Sequence, residues 1–224
     1  MKKMENRTDK EKVLRVVSHL VSAVFAPGML PFVAFLILFT CSYLRIMPLQ
    51  YRLIVLGIVF CFTLLLPMFS MYIYRKLYKL SKDELRQRHH RFIPFLLVIF
   101  SYVVCLILMV RMHMPWYLTA IVWDAMLMLL LCTIINLWWR LSIHMAGIGA
   151  IIGGLVTFSM LFGYNPMWWL CFFILTAGML GSARMILYGH SFGEVLGGFA
   201  VGMFTTFLVL HPVSNIFFSI LFFM

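Results

Sequence analysis

GSARMILYGHSFGEVLGG, residues 181–198, lies between two apolar runs and separates them. Within eleven residues it holds Arg184, His190 and Glu194. Charged side chains are costly inside a bilayer and collect where function needs them. This trio suits phosphate chemistry. A guanidinium holds an anion, an imidazole attacks or carries a proton, and a carboxylate fixes the ring's tautomer. His190 and Glu194 are four residues apart, so on a helix they share a face and can hydrogen-bond. A short hydrophilic turn between two spans would carry similar residues, so the rest of the chain must decide.

Outward from that stretch the chain is overwhelmingly apolar. Of 224 residues, 64% are hydrophobic, 17% aromatic and only 11% charged. A soluble domain needs more polar surface, so the class is a polytopic membrane protein with lipids as neighbours. The net charge of +11 does not indicate nucleic acid. Its cations cluster at the N-terminus and between residues 75 and 91, where they flank membrane spans. Cys41, Cys61, Cys105, Cys132 and Cys171 all lie in apolar runs without metal spacing and read as small core residues. With seven acidic residues in total, no carboxylate cluster is available, and neither a metal nor another cofactor is expected.

Residues 1–12 are polar and basic. Val13, Val16, Val17, Leu20, Val21 and Val24 then recur at helical spacing, opposite Arg15, Ser18, His19 and Ser22. This predicts an interfacial amphipathic helix over 13–25. No small-residue cleavage site follows promptly, so a cleavable signal peptide is not expected. Spans are expected at about 29–44, 53–74, 93–110, 116–138, 143–162, 167–180 and 192–210. The fold class is therefore all-α: a membrane helix bundle of about seven spans with an N-terminal interfacial helix. Residues 1–28 form the basic tail and that helix, 29–210 the bundle, and 211–224 an apolar tail too short to cross. Trp116, Trp138, Trp139, Trp168 and Trp169 fall at span ends, as an aromatic belt would.

Seven spans fix the parity of the loops, placing 75–92, 139–142 and 181–191 on the side of the N-terminus. The polar loops with chemical potential thus face one compartment. Ser142 and His144 open the fifth span, where free helix amides and a hydroxyl make an anion cradle. Gly147, Gly149, Gly153 and Gly154 permit close packing behind them. In the first loop, Arg75, Lys76 and Lys79 read as a lipid-facing flank, and Arg88 and Arg91 as phosphate contacts. Asp124, in mid-span, is either a functional acid or a neutral helix contact.

SARMILYGHSFGEVLGG resembles the third signature of the type 2 phosphatidic acid phosphatase superfamily: Ser-Arg, five residues, His, three residues, Asp. Arg184, His190 and Glu194 keep that spacing, with glutamate for aspartate and Ala183 between Ser182 and Arg184. Ser142-Ile143-His144 is similar to the second signature, Pro-Ser-Gly-His. The loop with Lys82 and Pro94 looks like the first, a lysine followed by Arg-Pro. The likeness covers roughly residues 82–198 and includes a divergent bacterial branch, which implies a bacterial inner membrane. The resemblance implies His190 as nucleophile, Glu194 as its orienting carboxylate, and His144 as acid and then base. Arg184, Arg88, Arg91, Ser142 and Lys82 would bind phosphate, and no metal would take part.

The reading that follows is a metal-independent lipid phosphate phosphatase acting on a phosphomonoester or diphosphate lipid through a phosphohistidine. A lipid phosphotransferase would use the same groups, and an anion or lipid transporter could use the same cationic pocket. A packing or scaffold protein would not require two histidines and a carboxylate on one membrane face. Composition leaves the head group and the oligomeric state open. Lysine and arginine number fifteen on the side of the site loops against Arg45, Arg52 and Arg111 opposite. Setting aside Lys82, Arg86, Arg88, Arg91, Arg140 and Arg184 as cations of the site leaves nine against three, so the site is expected in the cytoplasm.

Overall fold

A computed structural model describes residues 27–41, 43–78, 88–163 and 165–211. The basic tail and expected interfacial helix, the loop holding Lys82 and Arg86, and the end of the apolar tail lie outside the described residues. Among those described there is no strand. Seven helices follow in order: α1 (Leu30–Cys41), α2 (Leu49–Phe60, continued through Cys61–Leu65 into Leu66–Tyr78), α3 (Arg88–Arg111), α4 (Trp116–Ile135), α5 (Ile143–Phe162), α6 (Met167–Tyr188) and α7 (Phe192–Leu210). Five of them (α2, α4, α5, α6 and α7) are long and apolar enough to cross a membrane. Two shorter apolar stretches, Leu30–Thr40 and Leu96–Arg111, accompany them. Large apolar side chains such as Leu53, Phe69, Phe100, Leu175 and Phe204 face outward. Such a surface is suited to lipid rather than water.

The boundaries follow from local chemistry. Pro48 and Pro115 stand at the N-caps of α2 and α4, where a missing N–H costs nothing. Gly163 ends α5 in the left-handed conformation, at φ 62°. Several ends differ from the sequence expectation: α1 stops at Cys41, α2 runs on to Tyr78 and α3 starts at Arg88. Helix α2 begins at Leu49, because Pro48 starts a helix rather than a loop. Helix α4 ends at Ile135, so Trp138 and Trp139 lie in the connecting turn. Helix α6 continues to Tyr188, since no left-handed stop occurs before Gly189 at φ 61°. Ser182 to Arg184 are therefore helical and not part of a loop.

Helix α2 contains a π-helical turn over Cys61–Leu65, ahead of Pro67. There the Leu66 amide bonds the Cys61 carbonyl five residues back. In that register the Phe62 carbonyl would receive its bond from residue 67, but proline has no N–H. The Ser101 hydroxyl of α3 donates to Phe62 O in its place. Neighbouring hydroxyls commonly satisfy such freed carbonyls in membrane helices.

Two packing regions result. Phe35, Phe39, Val59, Tyr102, Met109 and Leu118 join α1–α4 through large side chains. Helices α5 and α7 instead meet through small residues. A β-carbon on Gly202 would lie 1.7 Å from the Ala146 carbonyl oxygen, and one on Gly149 only 2.3 Å from that of Phe199. The two backbones are in direct contact there. Pairing of Ser142 with Gly198 and of Ala146 with Gly202 shows that α5 and α7 run parallel. Helices α3 and α4 form an antiparallel hairpin turning at 112–115, and a short turn links α4 to α5. The N-termini of α3, α5 and α7 and the C-termini of α4 and α6 therefore share one end of the bundle.

Candidate functional site

At that shared end the sequence builds a compact polar constellation. Ser191 caps α7, its hydroxyl accepting from the Glu194 amide at 3.3 Å. The Glu194 carboxylate reaches back, and Oε2 accepts from the Ser191 amide at 3.2 Å. This is a capping box, readable as Ser-x-x-Glu ahead of an apolar run. The same Oε2 stands 2.8 Å from Nδ1 of His190. Gly189 makes this possible by turning the chain sharply, so that the His190 ring comes back over the first turn of α7. A negative charge is also favoured at a helix N-terminus. With Nδ1 engaged by the carboxylate, Nε2 is the ring nitrogen left for chemistry.

Helix α5 is locked to this pair by its cap. The Ser142 amide donates to the backbone oxygen of Glu194 at 3.3 Å. Gly198 admits the Ser142 backbone, where a β-carbon would lie 2.5 Å from the Ser142 oxygen. Ser142 is 1% exposed, and among the described residues its hydroxyl has no hydrogen-bond partner. It caps α5 by position but makes no side-chain cap bond. Hence a buried hydroxyl, unpartnered among the described residues, sits beside a helix N-terminus, an arrangement suited to an anion. His144 follows in the first turn of α5 and is partly buried.

Arg184 arrives from α6. Gly181 packs against Val195 of α7 and Met145 of α5. One turn further along α6, Arg184 is level with Ser142 and Glu194, and it is buried. Ser182 faces away, exposed, and bonds the Gly178 carbonyl at 2.9 Å. The alanine between them thus sends the serine to the lipid side and the arginine inward.

The expected residues are therefore brought together unequally. Ser142, His144, Arg184, His190 and Glu194 share one end of three packed helices. Arg88 and Arg91 occupy the first turn of α3 at the same end, but their side chains lie outside the described residues, as does Lys82 entirely. Ser191 and Trp139 were not expected. The capping signal marks Ser191. Trp139 lies over Gly193 and Gly197, where a β-carbon on Gly197 would meet its ring at 2.8 Å. Asp124 is far from this end, buried in mid-bundle, and accepts from the Thr206 hydroxyl at 2.7 Å. The tie joins α4 to α7.

No protein-family model, no curated protein and no solved structure matches this chain.

Proposed function

We propose that this chain is an integral-membrane phosphatase that removes phosphate from a phosphorylated lipid through a phosphohistidine, without a metal. The observation that carries the reading is the His190–Glu194 contact at 2.8 Å, held beside the buried Ser142 hydroxyl, which has no partner among the described residues. The Nε2 lone pair of His190 attacks phosphorus while the phosphorus–alkoxide bond breaks. His144 gives its proton to the leaving alkoxide. Water then attacks phosphorus, the phosphorus–nitrogen bond breaks, and His144 takes the water's proton. Glu194 accepts a hydrogen bond from Nδ1–H and stabilises the positive ring. Arg184, Ser142 and the first amides of α5 hold the equatorial oxygens as charge builds, joined by Arg88, Arg91 and Lys82 from the first loop.

In this reading all seven helices cross the bilayer as one catalytic bundle, and the site faces the cytoplasm, where the excess of lysine and arginine lies. The lipid-facing walls give a phosphorylated lipid direct access.

Phosphate release by purified protein, across a panel of lipid phosphates with chelator present, tests the chemistry. Turnover should persist in chelator and vanish in His190→Ala. Arg184→Ala should lose about 3 kcal/mol of transition-state stabilisation, a rate loss on the order of 10²-fold. Full activity in His190→Ala, or strict dependence on Mg²⁺, overturns the assignment. The topology has its own test, in which single cysteines at positions 79 and 113 of a cysteine-free protein meet an impermeant thiol reagent in intact cells. Labelling at 113 alone is expected, and labelling at 79 alone would place the site on the outer face.

A further inference from the structure

Below the site lies a cavity between α1 and the core of α4, α5 and α7. Gly147, Ala150, Ile151, Gly154, Leu155 and Phe158 line it from α5. These are successive positions of one helix face, and the cavity follows that face for about 16 Å, eleven residues at the helical rise. His144 stands one turn above Gly147 on the same stripe, so the cavity is continuous in direction with the phosphate end. Leu30 of α1 fills the notch at Gly147, where a β-carbon would lie 1.7 Å from its Cδ1. A chain entering from the site would thus displace a side chain and not backbone.

The wall is apolar except at one depth. Asp124 and Tyr102 both line the cavity, at 5% and 0% exposure. Oδ2 of Asp124 is used by Thr206. Among the described residues, Oδ1 of Asp124 and the hydroxyl of Tyr102 have no hydrogen-bond partner. The α3–α4 hairpin sets them level. Tyr102 stands nine residues before Arg111, the end of α3, and Asp124 eight residues after Trp116, the start of α4. Thr206 in turn packs 3.3 Å from the β-carbon position of Gly153. That is nine residues along α5 from His144, or roughly 14 Å below it. Two polar atoms at one depth of an apolar cavity, unpartnered among the described residues and deep in a bilayer, are costly unless a ligand meets them.

We propose that this cavity receives one hydrocarbon chain of the lipid, and that Asp124 and Tyr102 select a chain carrying a hydroxyl at mid-depth. A hydroxyl is the group that answers both atoms at once. Its proton goes to Oδ1 of Asp124, and its oxygen accepts from Tyr102. A plain alkyl chain leaves both unanswered, and ordered water is the competing occupant. The identity of the ligand as a phosphorylated lipid rests on the function proposed above, whereas the chain-binding cavity does not.

The test measures equilibrium binding to purified His190→Ala protein, which needs no turnover. The probes are a long-chain alkyl phosphate with its mid-chain hydroxylated analogue, and the matching pair of fatty acids. Each hydroxylated probe should bind about tenfold tighter than its plain partner, the worth of one buried hydrogen-bonded group. Tyr102→Phe and Asp124→Leu should each erase that preference. Tyr102→Phe removes only an unpartnered oxygen, so it keeps the test valid if Asp124→Leu fails to fold. Equal binding of hydroxylated and plain probes, or a preference that survives Tyr102→Phe, overturns the proposal and leaves water as the occupant. A preference within the fatty-acid pair, with phosphate adding no affinity and no turnover in the parent protein, would sink the phosphatase reading alone. Turnover without any hydroxyl preference would sink the chain selection alone.

Discussion

Helices α5 and α7 touch through their backbones, while α1 and α2 touch their neighbours through large side chains and a distorted helix. The two regions solve different problems. His190 and Glu194 ride on α7, Ser142 and His144 on α5. Their mutual depth is fixed only if the two helices cannot slide. Contact between main chains leaves no side chain to re-pack, so register is held tightly, as productive geometry demands. Helix α1 borders the cavity, and there a rotamer change at Leu30 lets the wall adapt. Rigidity lies where the proposed chemistry is, and compliance where a chain of lipid would enter.

The sharpest way to break that contrast is to make one substitution in both regions. Gly202→Ala places a β-carbon 1.7 Å from the Ala146 oxygen, and neither partner is a side chain that can move. The helices must part, at a cost of about 3 kcal/mol or more. Thermal unfolding of detergent-purified protein should show a large drop, or no monodisperse protein at all. Gly57→Ala in α2 meets nothing within 4 Å. It should raise stability by about 0.5–1 kcal/mol, because alanine is the better helix former. If both variants unfolded alike, the difference between the regions would be an illusion.

Sequence reading was most reliable where punctuation is local. Helices α5 and α7 begin and end as expected because Ser142, Gly163, Ser191 and His211-Pro212 mark their ends in the chain itself. The reading fell short where a boundary depends on what packs nearby. Gly181 and Ser182 look like a break, yet Val195 and Met145 receive Gly181 and the helix runs on. The glycines on α5 read correctly as packing residues, but their division of labour did not. Gly149 and Gly153 meet α7, whereas Gly147 makes room for Leu30. The Cys residues were all expected inside, but Cys61 and Cys171 face outward, where lipid suits a thiol as well as a core does. The Asp124–Thr206 bond spans 82 residues of sequence, and nothing local to either residue reveals it. Of the site, the motif residues were legible because their chemistry is rare in apolar sequence. The tie from the Ser142 amide to the Glu194 oxygen was not, since main-chain partners carry no residue signature.

The smallest expected effect probes the distorted helix directly. Ser101 donates to the Phe62 carbonyl, which the π register would otherwise pair with the N–H that Pro67 lacks. Ser101→Ala should therefore cost about 1 kcal/mol, the worth of one buried hydrogen bond whose acceptor is left unmet. Pro67→Ala restores an N–H at the position that faces Phe62 O, so it should be close to neutral alone. In the Pro67→Ala background the serine becomes redundant, and Ser101→Ala should cost only a few tenths of a kcal/mol. The two substitutions should then couple by roughly 0.5–1 kcal/mol in a double-mutant cycle read by thermal unfolding in detergent. Strict additivity would mean that the hydroxyl and the missing N–H do not compete for one carbonyl. The π turn would then have to be set by packing of α2 against α1 and α3, not by Pro67.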